Sequence, residues 1–99
     1  MISRDHKRCP THPGELLRDD ILPSIAYSKT QLAKMLGISR QHFHDIVNEK
    51  KPVSAPVAAR LGKLFGNGSL FWIRMQGAYD AWHAERDIDV SQVPTLDVA

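Results

Sequence analysis

A second cysteine is missing from the chain, so Cys9 has no thiol with which to form an internal disulfide or share a metal. A reducing cytoplasm is the expected setting. No apolar stretch approaches the ~20 residues that span a bilayer, and residues 1–10 hold no apolar run of the secretory-signal kind. The expectation is a soluble, cytoplasmic protein without a membrane partner. Also lacking is a glycine-rich loop that would cradle a phosphate. Glu15, Asp19 and Asp20 share an early segment, but no serine or histidine is placed to complete a nucleophilic arrangement, and Cys9 has no recognisable base near it. His42 and His44 diverge by ~200° on a helix and cannot share a metal. His6 and His12 read as a tail and a cap residue. An enzyme is therefore not expected, nor a cofactor or metal. No repeat or low-complexity tract occurs, and the central region shows no sustained alternation of the kind a half-buried strand needs.

What remains is a chain of 99 residues, 42% hydrophobic, enough for one modest core. The formal charge of +2 is unremarkable, but its distribution is not. Lys29 to Lys63 carries seven basic residues against two acidic ones, a balance of +5; from Asp80 onward one basic residue stands against five acidic ones, a balance of −4. A basic middle suits phosphate, and an acidic end suits a basic partner.

Punctuation divides the chain into five helix-sized segments. Proline at a first helical turn loses an amide that would lack a partner anyway, so the first helix starts at Pro13 with His12 at its cap. Leu16, Leu17 and Ile21 form its inward stripe, and it is expected to stop before Pro23. Ser28 and Gln31 have the form of a capping box; Leu32, Ala33 and Leu36 then share a face, and Gly37 ends the second helix. Ser39 caps the third, in which Phe43, Ile46 and Val47 have the spacing of one buried side. The fourth starts near Ser54 with Pro56 in its first turn and runs to Gly66. The fifth follows Gly68-Ser69 and carries Leu70, Phe71, Trp72, Met75, Tyr79 and Trp82. The pattern fades past Ala84, and Ile88 to Ala99 reads as a disordered tail or as a short strand that orders on a partner. The expected organisation is an arm over residues 1–11, a helical domain over 12–84 and a tail over 85–99.

Two short helices joined by Leu36-Gly37-Ile38-Ser39 form a helix-turn-helix pattern. Such a unit lets one helix cross a DNA backbone while the second puts its first turn into the major groove. With Phe43, Ile46 and Val47 turned inward, Gln41, His44, Asp45 and Asn48 point the other way, and Arg40 stands at the leading end. The candidate base-reading residues are Arg40, Gln41, His44 and Asp45: arginine pairs bidentately with guanine, glutamine with adenine, and a carboxylate accepts from cytosine. Asp45 has an alternative, an internal ion pair with Arg40 or Lys29. Candidate phosphate contacts are Ser28, Lys29, Ser39, His42, Lys50 and Lys51. The aromatic residues of the fifth helix are either core or a face for a second copy, and Trp72, Tyr79 and Trp82 are the candidate dimer residues.

The runs His12-Pro13-Gly14-Glu15-Leu16-Leu17, Gln31-Leu32-Ala33 and Leu36-Gly37-Ile38-Ser39-Arg40-Gln41, with Phe71-Trp72, Tyr79-Asp80 and Trp82, resemble the HigA family of antitoxins over residues 12–84. The resemblance implies an all-helical, lambda-repressor-like domain of five helices that dimerises and represses its own operon at a palindromic operator. It also implies binding of a HigB toxin, a ribosome-dependent mRNA endonuclease, for which the acidic segment Asp80 to Asp97, the first helix and the amino-terminal arm are all available. Three departures stand out. Lys29 occupies a position where relatives of this fold often have glutamine. His42 and His44 stand where Thr or Ser is common. Asn48-Glu49 replaces a usual Asn-Gly, which removes the residue best able to take a positive φ. The alternatives to an antitoxin are a transcription regulator without a toxin and an interaction module that has lost DNA binding.

Overall fold

A computed structural model of the chain describes residues 8–98. Most of the expected amino-terminal arm, including His6, thus lies outside the described residues. Five helical segments follow. We label α1 the continuous rod made of Pro13–Leu16, a π-helical stretch Leu17–Ile21 and a last turn Leu22–Ser24; α2 is Lys29–Leu36, α3 Arg40–Val47, α4 Ala55–Phe65 and α5 Ser69–Asp87. No strand occurs among the described residues.

The starts of these helices are set by short side chains. The His12 Nδ1 accepts from the Gly14 amide at 2.8 Å, ahead of Pro13. Ser28 and Gln31 complete a reciprocal capping box, and Ser39 and Ser54 each accept from the amide three residues on. One boundary differs from expectation: α1 does not stop at Pro23. Within the preceding π-helical stretch Leu22 donates to the carbonyl of Leu17, five residues back. That wider turn loosens the register in which a proline ring would strike the carbonyl four residues earlier, and the helix runs on to Ser24. A second difference lies at the other end, where α5 continues three residues past Ala84 to Asp87.

The core draws on every helix. Leu17 from α1, Leu32 and Leu36 from α2, Phe43, Ile46 and Val47 from α3, Val57 and Leu61 from α4, and Trp72 from α5 are all buried, joined by Val53 from the α3–α4 connection. Burying a side chain of this size contributes about 1.5–3 kcal/mol, so the apolar sides of α2 and α3 fix which sides remain for solvent. Buried Gln76 is paired through both its oxygen and its nitrogen: it accepts from the Val53 amide at 2.8 Å and donates to Asp80 at 2.9 Å, which ties the chain after α3 to α5. Trp72, expected at a dimer face, is instead 0% exposed, with its indole N–H donating to Asn67 at 2.9 Å. Its ring belongs to the core because α5 lies on α4, whose Phe65 packs against it. Residues 88–98 form no regular element, only a turn in which Val93 donates to Val90. No helix among the described residues is long and apolar enough to cross a membrane.

Candidate nucleic-acid interface

Burial sorts α3 into two sides. Phe43, Ile46 and Val47 are all at 1% exposure or less, while Arg40 and Gln41 are exposed and His44, Asp45 and Asn48 are half-buried. Anchoring comes from both flanks. The preceding turn is closed by Gly37 at φ 73°, from which the Gly37 and Ile38 amides return to Lys34 and Ala33. At the far end α1 presses on the last turn of α3: a side chain at Gly14 would run into the Ile46 carbonyl, so only glycine permits this approach.

The open side carries a connected set of polar groups. Gln41 donates to Asp45 at 2.9 Å, and Lys51 reaches the other oxygen of the same carboxylate at 3.8 Å. Asp45 is therefore internally engaged, as the alternative reading anticipated, but with Gln41 and Lys51 rather than with Arg40 or Lys29. Those partners follow from geometry: Gln41 is one helical turn before Asp45, and the chain after α3 folds back so that the Lys50 and Lys51 amides both donate to the Asp45 carbonyl, at 2.8 and 3.2 Å. His44 lies between two neighbours, 3.5 Å from the Lys29 ammonium on α2 and 2.9 Å from the Asn48 amide. Ser28 and Ser39 use their oxygens as helix caps, accepting at 3.1 and 3.0 Å, which leaves each hydroxyl proton free to be donated outward. His42 is half-buried on the flank of α3. Lys29, Gln41, His44, Asp45 and Lys51 are thus linked along one edge of the molecule, with exposed Arg40 at the leading end of α3 and exposed Lys50 in the turn that follows it.

Directly after this edge stands Glu49, whose φ of 62° makes it the one non-glycine residue with positive φ among those described. The turn doubted from the sequence forms all the same. Glu49 donates to Ile46 and Lys50 to Asp45, the paired bonds of a Schellman helix end in which a left-handed residue is normally glycine. A side chain in that conformation costs about 1–2 kcal/mol. Arg18, from the π-helical stretch of α1, reaches across to it: one guanidinium nitrogen donates to the Val47 carbonyl at 3.0 Å and to the Glu49 carboxylate at 3.2 Å, while Asp19 holds the Nε at 3.0 Å. Sequence reading missed this contact, since 31 residues separate the partners; the misfit of glutamate for glycine was its only signal.

No protein-family model matches the chain. Individual relatives do. Virulence-associated protein I of Dichelobacter nodosus is 41% identical over 76 residues, 77% of this chain and 70% of that protein. Antitoxin HigA-1 of Vibrio cholerae is 33% identical over 79 residues, 80% of this chain and 74% of the relative. The solved structure of the Pseudomonas aeruginosa antitoxin HigA with the higBA promoter superposes with a TM-score of 0.76 at 35% identity, covering 88% of this chain and 99% of that one. The chain belongs to the HigA family of antitoxins.

In this HigA-family chain the aromatic residues of α5 divide between core and surface. Tyr79 is half-buried, its ring meeting the edge of His12 at 4.8 Å between centroids, and Trp82 is half-buried under the Arg86 guanidinium at 3.7 Å. The large apolar groups that α5 does expose are Leu70, Phe71 and Ile73. Burial lowers His12 below its usual value, with Glu49 and Asp80 pulling the other way. Cys9, read as distant from any base, has its sulfur 3.5 Å from the His83 Nε2, because the chain before α1 lies against α5.

Proposed function

We propose that this HigA-family chain is the antitoxin of a type II toxin–antitoxin pair and represses its own operon by binding a palindromic operator as a homodimer. The observation that carries the reading is the α3 edge: a locked apolar side and an open side rich in donors, in a chain akin to one solved with promoter DNA. In this reading the leading turn of α3 enters the major groove. Arg40, exposed and with no protein partner among the described residues, donates to guanine; Gln41 and His44 read neighbouring base edges, and Asp45 orients Gln41 and accepts from cytosine. Ser28, Lys29, Ser39, His42, Lys50 and Lys51 meet phosphates on both sides of the reading helix. Half-sites then lie about one turn, ~34 Å, apart.

The second copy docks on α5 in this proposal, with Leu70, Phe71 and Ile73 supplying the apolar contact and Tyr79 and Trp82 flanking it; buried Trp72 takes no part. A HigB-type, RNA-cutting toxin is the second partner. Such a toxin carries basic surface for RNA, to which the acidic segment from Asp80 to Asp97 is complementary. The pair works in the cytoplasm, and the chain itself performs no catalysis.

Two measurements test the two halves. In a gel shift with DNA from its own promoter, Arg40→Ala is expected to weaken binding by about 1–3 kcal/mol, 5- to 150-fold, and to relax the base preference at one position. If wild-type protein retards promoter and shuffled duplexes alike, the repressor half fails. Co-expression with the neighbouring reading frame should yield a purified complex and relieve growth arrest caused by that frame alone. Absence of a complex would leave a regulator without a toxin.

A further inference from the structure

The left-handed glutamate sits at the one joint that decides where Lys50 and Lys51 go. Both lysine amides return to the Asp45 carbonyl, so the chain leaves α3 through Glu49 alone. If Glu49 relaxed from φ 62° to the ordinary α-region near −60°, everything after it would swing by about 120°. Both lysines would then leave the edge they share with Arg40 and Gln41. Nothing in the glutamate's own covalent structure favours the strained conformation; glycine or asparagine would tolerate it far better. The backbone bonds of the turn and the Lys51–Asp45 contact hold it from within, and Arg18 adds a hold from another helix. Its guanidinium is aimed by Asp19 at 3.0 Å, caps the free Val47 carbonyl at 3.0 Å and grips the Glu49 carboxylate at 3.2 Å. The side chain therefore reads two consecutive features of the turn from a different helix, and the π-helical stretch on which Arg18 sits projects it there.

We propose that Arg18 and Glu49 form a positioning clamp, in which the α1 guanidinium holds the turn after the reading helix in its left-handed form and so sets Lys50 and Lys51 against the DNA backbone. Arg18 acts through the turn and makes no DNA contact of its own. The inference deepens the DNA-binding reading and rests on it. Neutralising Glu49 next to the phosphates is a separate effect of the same pair, and the experiment must tell conformation from charge.

The test measures binding of a duplex from the chain's own promoter at several salt concentrations, at a temperature where circular dichroism shows every variant folded. Arg18→Met is expected to weaken binding on the order of tenfold and to reduce the slope of log affinity against log salt by about 1.8, the equivalent of two phosphates at ~0.9 each. Adding Glu49→Gly or Glu49→Asn to Arg18→Met should restore both affinity and slope, because these residues adopt the left-handed conformation unaided. Adding Glu49→Gln, which removes the charge but not the strain, should restore neither. A merely structural role for Arg18 would lower the melting temperature and leave the salt slope of the folded protein intact. Equal rescue by glutamine would overturn the clamp in favour of simple electrostatics. Failure of glycine and asparagine to rescue would mean that Arg18 touches the phosphate itself, and an unchanged Arg18→Met would also overturn it. Should the wild-type chain fail to bind the duplex, the DNA reading fails first and takes the clamp with it.

Discussion

At the end of α2, Gly37 turns the chain at φ 73° and Arg60 from α4 donates to the Leu36 carbonyl at 2.8 Å; at the end of α3, Glu49 turns it at φ 62° and Arg18 from α1 donates to the Val47 carbonyl at 3.0 Å. Both ends carry the same paired amide bonds, and both place an arginine from a neighbouring helix over a carbonyl of the last turn. They differ in what supplies the positive φ. Glycine takes it without steric cost, so the turn inside the helix-turn-helix stands on local backbone chemistry. Glutamate takes it against a preference of about 1–2 kcal/mol, so the turn beyond the reading helix depends on the rest of the fold. The rigid end fixes the angle between α2 and α3, and the conditional end lies beside the lysines proposed to meet DNA.

The comparison breaks most visibly at Gly37. Valine there would combine left-handed strain of about 1–2 kcal/mol with loss of the Arg60 contact, worth about 0.5–1.5 kcal/mol, since a Cβ would lie 2.7 Å from the guanidinium nitrogen that donates to Leu36 and push that flexible tip aside. Thermal unfolding of Gly37→Val should fall by on the order of 10 °C or more for a domain of this size. A loss below about 3 °C would show that this end, too, is held from outside.

Glu49→Gly should do far less. Release of the strain and loss of the Arg18 contact act in opposite directions, and glycine adds entropy to the unfolded chain. A melting shift within about 4 °C of wild type is expected, against the large loss at Gly37. A fall as large as that of Gly37→Val would place the turn's stability in the side-chain contact and not in its backbone.

The smallest effect concerns His12, which faces the Glu49 end. His12 caps α1 through a lone pair on Nδ1 and lies buried against Tyr79, with Glu49, Asp80, Arg18 and Glu15 as its charged surroundings. Burial lowers its folded value below the 6.5 of the unfolded chain. Above 6.5 its contribution to stability is therefore fully present; as pH falls through that point toward the lowered folded value, the unfolded chain gains the proton first and the contribution is lost. Urea midpoints should decline between pH 7 and pH 5, and His12→Asn, which still caps but does not titrate, should flatten that decline. An identical slope in the variant would assign the effect to another group.

Much of this architecture was legible from local chemistry. The caps at Ser28, Ser39 and Ser54, the left-handed glycine at 37 and the apolar spacing of Phe43, Ile46 and Val47 all act within a few residues, and each appears where the sequence puts it. Legibility failed where distant segments decide. Helix α1 passes Pro23 because its backbone shifts register, a response no window of residue types contains. Trp72 reads as a candidate for a dimer face, yet packing against α4 draws it inward and leaves Leu70, Phe71 and Ile73 outside. Arg18 with Glu49 and Cys9 with His83 meet across 31 and 74 residues. Of the candidate site, the edge of α3 could be read from helical geometry, whereas the pairing of Asp45 with Gln41 and Lys51 needed the path of the chain after Asn48.

The central claim is that the open side of α3 is the surface that meets DNA, and backbone amide NMR shifts on titrating a promoter duplex test it most directly. The account predicts the largest changes at residues 28–29, 39–45 and 49–51, with α5 nearly silent beyond any dimer effect. Changes concentrated on α5 or on residues 88–98, with Arg40 to Asp45 unmoved, would contradict it.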